Sequence, residues 1–184
     1  MANLRFILSC FLFAGIVFSS AMAQTQLGTQ NGKISFASDA PLEIIKASSN
    51  EMRGKIDLTR KIFAFTIKTS SFQGFNSPLQ KEHFNENYIE SNRYPDATFS
   101  GKIIEDIDLA EDGENVVRAK GNLTIHGVTQ ERIIKIKMTT KNGVMNIKSE
   151  FTVLLEDHQI AIPRVVNEKL ASEIKVEVKA TLMP

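Results

Sequence analysis

Three histidines are the side chains of this sequence best suited to acid–base or metal chemistry. A histidine can serve as a general base, or bind a metal ion through a ring nitrogen. His83, His126 and His158 lie far apart in the sequence and match no metal-ligand spacing. The first falls on a predicted helix, the second in a predicted tight turn and the third near a strand end. We therefore expect structural roles for all three and no metal site.

Motifs for nucleophilic or nucleotide chemistry are absent from the sequence. It contains no Gly-x-Ser-x-Gly element, no glycine-rich phosphate loop and no paired-cysteine motif. The adjacent Glu156 and Asp157 would point to opposite faces of a strand, which suits solvated charges better than an acid–base pair. We predict no catalytic residues and no cofactor, and hence a protein that is not an enzyme.

The first 23 residues have the layout of a secretory signal peptide. Arg5 precedes an apolar run from Phe6 to Phe18, and small residues then lead to Ala21-Met22-Ala23. The run is shorter than the roughly 20 residues that a membrane-spanning helix needs, so an uncleaved anchor is the less favoured alternative. We expect cleavage after Ala23. The domain of residues 24–184 would then be periplasmic or secreted in a bacterium, without a stable membrane span.

The charge balance of this mature chain offers no attraction for nucleic acid. Removal of Arg5 from the 22 lysines and arginines leaves 21, which equals the 21 acidic residues. The single cysteine, Cys10, leaves with the signal peptide, so we expect neither a disulfide nor a thiolate site. The oligomeric state is not determined by these features, and a homodimer stays open.

Alternation of apolar and polar residues with a period of two dominates the sequence. From Glu173 to Leu182, apolar positions alternate with lysine, glutamate and threonine. This pattern is typical of antiparallel strands with one dry and one wet face. Similar segments occupy residues 33–38, 52–59, 62–68, 97–104, 117–124, 134–138 and 145–155. About eight strands in one domain predict an all-β barrel or sandwich.

Short turns join several of these segments. Asn142-Gly143 is a strong signal for a two-residue hairpin, because both central positions of a type I′ turn need positive φ. His126-Gly127 and Glu111-Asp112-Gly113 also predict hairpin turns. The pattern is irregular between Pro41 and Asn50, so no register is predicted there.

One amphipathic helix is predicted between the strands. Ser77 can cap its start, Pro78 suits the first helical position, and the segment runs to Ile89. Pro95 ends the inserted segment before the next strand. Such an insertion can pack on an end or side of a barrel.

The predicted inner face mixes large rings with small residues, namely Gly54, Gly101, Ala119, Gly121 and Ala180. Small inward residues would leave space, which either a ligand or the helix side chains could fill. The other face carries dense charge, and the chain has no tryptophan for an aromatic girdle, which argues against an outer-membrane barrel. We predict an apolar tunnel between sheet and helix. Its predicted lining is Phe63, Phe65, Leu79, His83, Phe84, Tyr88, Phe99, Ala119, Gly121 and Phe151.

Three blocks of the sequence resemble, in order and separation, the YceI-like family of lipid- or polyisoprenoid-binding proteins. They run from Phe75 to Phe84, from Tyr94 to Gly101 and from Gly121 to Thr129. The closing segment around Ile160–Pro163 is similar too, and the resemblance covers about residues 33–182.

The resemblance implies a lipocalin-like antiparallel β-barrel that encloses a long-chain isoprenoid or similar amphiphilic lipid. It implies no catalytic residues and no metal, and a function in transport, storage or sequestration. Two other functions stay open at this point. One is a stress-response or interaction protein with a self-filled barrel. The other is an enzyme acting on a lipid-like substrate, for which His83 is the only suitable titratable group.

Overall fold

Eight antiparallel strands follow one another around a closed barrel, in which the last strand pairs with the first. The computed structural model describes residues 26–184, so the predicted signal peptide lies outside the described residues. The strands are β1 (Gln26–Asp39), β2 (Ile44–Asp57), β3 (Ile62–Lys68), β4 (Asp96–Ile103), β5 (Gly113–Ile125), β6 (Val128–Lys141), β7 (Val144–Leu154) and β8 (Glu173–Leu182). The predicted all-β, lipocalin-like barrel with one inserted helix is confirmed.

The helix lies between β3 and β4. Helix α1 (Pro78–His83) begins after Ser77, whose side chain accepts a hydrogen bond from the Gln80 amide at 3.2 Å. A π-helical turn (Phe84–Tyr88) continues it. Three short 3₁₀ segments, Thr69–Ser71, Glu156–His158 and Arg164–Val166, complete the connections. Within residues 26–184, no helix has the length and apolar character needed to cross a membrane.

Two of the three predicted hairpin turns are confirmed. His126 and Gly127 have φ of 52° and 72°, and Asn142 and Gly143 have φ of 51° and 75°, as type I′ turns require. The third prediction was wrong: β4 ends at Ile103, so Glu111 and Asp112 end a long connection over residues 104–112, and Gly113 begins β5. Leu109 in this connection is buried in the core.

The irregular segment from Pro41 to Asn50 proves to contain the first half of β2. Its pattern is obscured because Ser49 points inward and is buried, with its hydroxyl 2.7 Å from that of Ser71. The register shifts on β1 between Thr29 and Ile34, opposite this part of the sheet, add a further irregularity.

The inward side chains near the ends of β4 and β6 and the starts of β5 and β7 pack into a continuous core. We call this half of the barrel the closed half, and its 104–112 connection covers that end. The other end, the open end, is where α1, the β5–β6 hairpin and the 155–172 connection lie. Core residues of the closed half include Leu27, Ile56, Phe63, Ile103, Leu109, Val117, Ala119, Ile136, Met138, Met145, Ile147, Ala180 and Leu182.

The predicted inward orientation of the apolar residues is confirmed on β6 and β8. Ile134, Ile136 and Ile174 are buried, whereas Lys135 and Lys175 are exposed. Each strand therefore presents its apolar face to the inside of the barrel.

Candidate functional site

An apolar cavity of about 470 Å³ lies at the open end of the barrel. This volume falls in the range of about 300–1,000 Å³ that is typical of small-molecule sites. Strand residues form its wall: Ile34, Phe36, Phe65, Ile67, Ala97, Phe99, Leu123, Ile125, Phe151, Val153, Ile174, Val176 and Val178. The space is suited to a hydrocarbon chain, because most of the side chains around it are aliphatic or aromatic.

An aromatic cluster holds the helical insertion over this cavity. The ring of Phe84 stacks on that of Phe36 from β1, with centroids 5.5 Å apart and planes at 20°. The Phe84 ring also contacts the rings of Phe72 and Phe75, with centroid distances of 5.9 Å and 5.1 Å. Aromatic pairs of this geometry contribute roughly 0.5–1.5 kcal/mol each beyond simple burial. The insertion is therefore attached to the barrel by apolar contacts that also line the cavity.

Polar groups gather at the mouth of the cavity, where three segments meet. The Glu43 carboxylate accepts hydrogen bonds from the side-chain amides of Gln80 and Asn76. The backbone of the same loop donates from Leu42 N to Glu168 O at 2.9 Å. Glu43, Gln80, His83 and Lys169 line this mouth. A polar head group would meet these side chains while an apolar tail lay inside.

Six of the ten predicted binding residues line the cavity: Phe65, His83, Phe84, Tyr88, Phe99 and Phe151. The structure places the other four elsewhere. Phe63 and Ala119 belong to the core of the closed half, and Leu79 is 56% exposed on α1. Gly121 lies on β5 opposite Gly101 of β4.

The expectation that small inward residues leave empty space was wrong for the glycines Gly54, Gly101 and Gly121. A Cβ on Gly121 would overlap the Ser100 carbonyl, whose carbon would be 2.9 Å away. A Cβ on Gly54 would overlap the Phe65 ring. These glycines permit close approach of a neighbouring strand or ring, so the space beside each glycine is already occupied.

Sequence reasoning missed the contribution of the 155–172 connection. Leu155, Ile160, Val166 and Leu170 line the cavity from this side. The available signal was the presence of these apolar residues in a stretch without the period of a strand. Such residues need burial, and the nearest apolar surface is the open end of the barrel.

Two histidines link the covering segments without touching the cavity. The His126 ring contacts Glu90 Oε2 through Nε2 at 2.7 Å and His158 O through Nδ1 at 3.1 Å. His158 is fully buried, and its Nδ1 lies 3.0 Å from Val128 O. These contacts join the β5–β6 hairpin to the connections on either side of it.

Among residues 26–184, no cluster of three or more His, Cys, Asp or Glu side chains is arranged to hold a metal ion.

Comparison with known proteins identifies the domain type. The sequence profile of the YceI-like domain matches residues 20–182. A search of curated proteins found no match.

Solved structures share the fold at low sequence identity. A polyisoprenoid binding domain from Saccharophagus degradans has a TM-score of 0.75 and 12% identity, over 86% of this chain and 98% of that one. BcnA from Burkholderia cenocepacia has a TM-score of 0.67 and 16% identity, over 83% and 96%. The Campylobacter jejuni YCEI protein has 0.58 and 17%, over 73% and 82%. At these identities the likeness establishes a common barrel.

Proposed function

Because the chain belongs to the YceI-like family, we propose that it is an exported binding protein that holds a long-chain isoprenoid or similar amphiphilic lipid. The lipid tail occupies the apolar cavity at the open end of the barrel, and its head group lies at the mouth. The cavity of about 470 Å³ is the observation that carries this proposal. The name of the Saccharophagus degradans domain, which refers to polyisoprenoid binding, adds support.

The energetics favour a tail in this position. Each methylene moved from water into an apolar site gains about 0.8 kcal/mol, so a chain of a dozen or more carbons supplies a large driving force. Ordering the chain and immobilising the partners offset part of that gain. Binding of this kind needs few polar contacts, in keeping with the four polar residues at the mouth, and it suits transport, storage or sequestration.

The proposed export rests on the first 23 residues. Purified mature protein is expected to begin at Gln24, as determined by N-terminal sequencing of a periplasmic or secreted fraction. An intact Met1 in a membrane fraction would contradict export. This measurement is independent of lipid binding.

The test of lipid binding is a pair of variants that add the same ring on opposite faces of the sheet. Ala97 of β4 lines the cavity, whereas Ala64 of the adjacent β3 is exposed on the outside. Ala97→Phe fills a substantial part of the cavity, since an apolar cavity of about 150 Å³ accommodates one benzene molecule. We expect this variant to lose most of its bound lipid and Ala64→Phe to retain it.

Bound lipid is measured by native mass spectrometry, and by organic extraction of protein purified from the periplasm or culture medium. Thermal unfolding of both variants checks that they are folded. Equal lipid content in folded Ala97→Phe and Ala64→Phe would mean that the lipid binds outside the cavity. Wild-type protein that carries no lipid, and takes up none when lipid is added, would favour the self-filled barrel.

A further inference from the structure

The cavity occupies only the half of the barrel next to the open end. On β3, Ile67 and Phe65 line it, whereas Phe63, one inward position nearer the closed end, is 5% exposed and lies in the core. The same change occurs on β8, where Val178 lines the cavity and Ala180 does not. Successive inward residues of a strand are spaced by about 6.8 Å. The cavity therefore ends within one layer of side chains.

Two long side chains at this level lie over glycines of the neighbouring strands. Phe65 covers Gly54, where an added Cβ would overlap the ring. Met52 covers Gly32 in the same way on the neighbouring strand pair. We call Met52, Phe65 and Phe99 the floor of the cavity, since all three line it at its deep end.

Beneath the floor, the barrel is packed by its own side chains. Val117, Ala119, Met145 and Leu182 have no measurable exposure there. A close-packed interior does not admit additional carbon atoms without displacement of neighbouring groups. A lipid tail that reaches the floor can go no further along the barrel axis.

The volume above the floor converts to a chain length. An apolar cavity of about 150 Å³ holds one benzene molecule, which corresponds to about 25 Å³ per carbon atom. On this scale, the observed 470 Å³ holds about 19 carbons. We infer, on the premise of the proposed lipid-binding function, that the ligand is a single chain of this length, equal to about three or four isoprene units, and that Phe65 sets the limit.

This inference predicts how affinity depends on chain length. Each methylene that is newly buried tightens the Kd about fourfold, whereas a methylene left in water at the mouth changes it little. The probes are the prenyl alcohols geraniol, farnesol, geranylgeraniol, geranylfarnesol and solanesol, in order of increasing length. Their Kd values are measured by displacement of the fluorescent probe N-phenylnaphthylamine from delipidated wild-type protein. Affinity is expected to rise steeply up to geranylgeraniol and to stay level beyond it.

Two variants on the same strand distinguish the effect of the floor on the length limit from that of the core beneath it. Phe65→Ala removes a ring that lines the cavity and frees space for about six carbons, so the plateau is expected to begin one isoprene unit later, at geranylfarnesol. Phe63→Ala removes an equally large ring outside the cavity and is expected to leave the plateau where it is. Phe63 is buried and Phe65 is partly buried, so both variants lose aromatic packing, and thermal unfolding of each provides the comparison of stability.

A third variant works in the opposite direction. Val178→Phe adds a ring at the deep end of the cavity, and the plateau is expected to move down to farnesol. This variant tests the length limit independently if Phe65→Ala does not fold.

The possible outcomes distinguish the two proposals. If none of the alcohols binds to wild-type protein, the proposed lipid-binding function fails. If affinity continues to rise through solanesol, lipid binding stands and the length limit is overturned. A limit that is unchanged in folded Phe65→Ala and Val178→Phe would overturn the role of the floor.

Discussion

Gly127 offers a prediction in which backbone strain and side-chain overlap can be measured separately. Its φ of +72° belongs to the left-handed region, which costs a residue with a Cβ about 1–2 kcal/mol. A Cβ at this position would also overlap the Tyr94 ring, with Cδ1 2.8 Å away. Gly143 has nearly the same φ, +75°, in the same type of turn, but nothing lies within 4 Å of its added Cβ. Gly143→Ala therefore carries the backbone cost alone.

We expect Gly127→Ala to reduce the free energy of unfolding by more than Gly143→Ala does. Gly143→Ala should cost about 1–2 kcal/mol, and overlap with Tyr94 should add about 1–3 kcal/mol in Gly127→Ala. The Tyr94 ring has little freedom to move, because it lies edge-on against His126 at 4.7 Å. In a domain of this size, each kcal/mol lowers the Tm by about 2–4 °C.

The assay is equilibrium unfolding in urea, with Cm compared at constant m value. In a Tyr94→Ala background, the Gly127→Ala substitution should cost no more than Gly143→Ala does in wild-type protein, because the overlapping ring is gone. Equal destabilisation by Gly127→Ala and Gly143→Ala in wild-type protein would refute the steric part of this reasoning. A Gly143→Ala protein as stable as wild type would refute the backbone part.

Three further predictions concern stability, pH and the histidine contacts. Gly121→Phe should destabilise the barrel strongly, because its side chain would overlap the β4 backbone. A Gly121→Phe protein whose urea unfolding matches that of wild type would contradict this. The pKa of Asp57 is lowered chiefly by the Arg60 backbone amide at 2.7 Å and also by its guanidinium. The stabilisation of the fold by this carboxylate is therefore complete above the pKa that Asp57 has in the unfolded chain, and it is lost as the pH falls below about 4. The urea Cm of Asp57→Asn should therefore change less at acid pH than that of wild type. His126→Ala should lower stability by about 1–3 kcal/mol with bound lipid unchanged, and lipid loss at unchanged Cm would show that His126 contributes to binding.

Features that depend on neighbouring residues in the chain could be predicted from the sequence. The alternation in β8 identifies its inner face, because a strand exposes successive side chains to opposite sides. The type I′ turns follow from residue types that tolerate positive φ. The Ser77 cap and Pro78 likewise mark the start of α1 within a few residues.

Features that depend on contacts between distant strands could not be predicted in this way. The inner face of β2 is obscured because Ser49 is buried against Ser71, a partner 22 positions away in the sequence. The space beside Gly54 is filled by Phe65 of the next strand, which the register of the pair determines. Alternation identifies which side chains point inward, but not which of them fill the space between them.

The position of the cavity along the barrel follows from the lengths of the connections. Both long insertions, residues 69–95 and 155–172, lie at the open end, whereas the closed end has the single longer connection 104–112. Residues of the long insertions, such as Phe84 and Leu170, reach across the opening and line the cavity from above. Leu109, from the shorter connection, is instead buried within the core itself. The long insertions therefore cover the opening with side chains that leave the cavity beneath them, whereas the short connection places Leu109 inside the core.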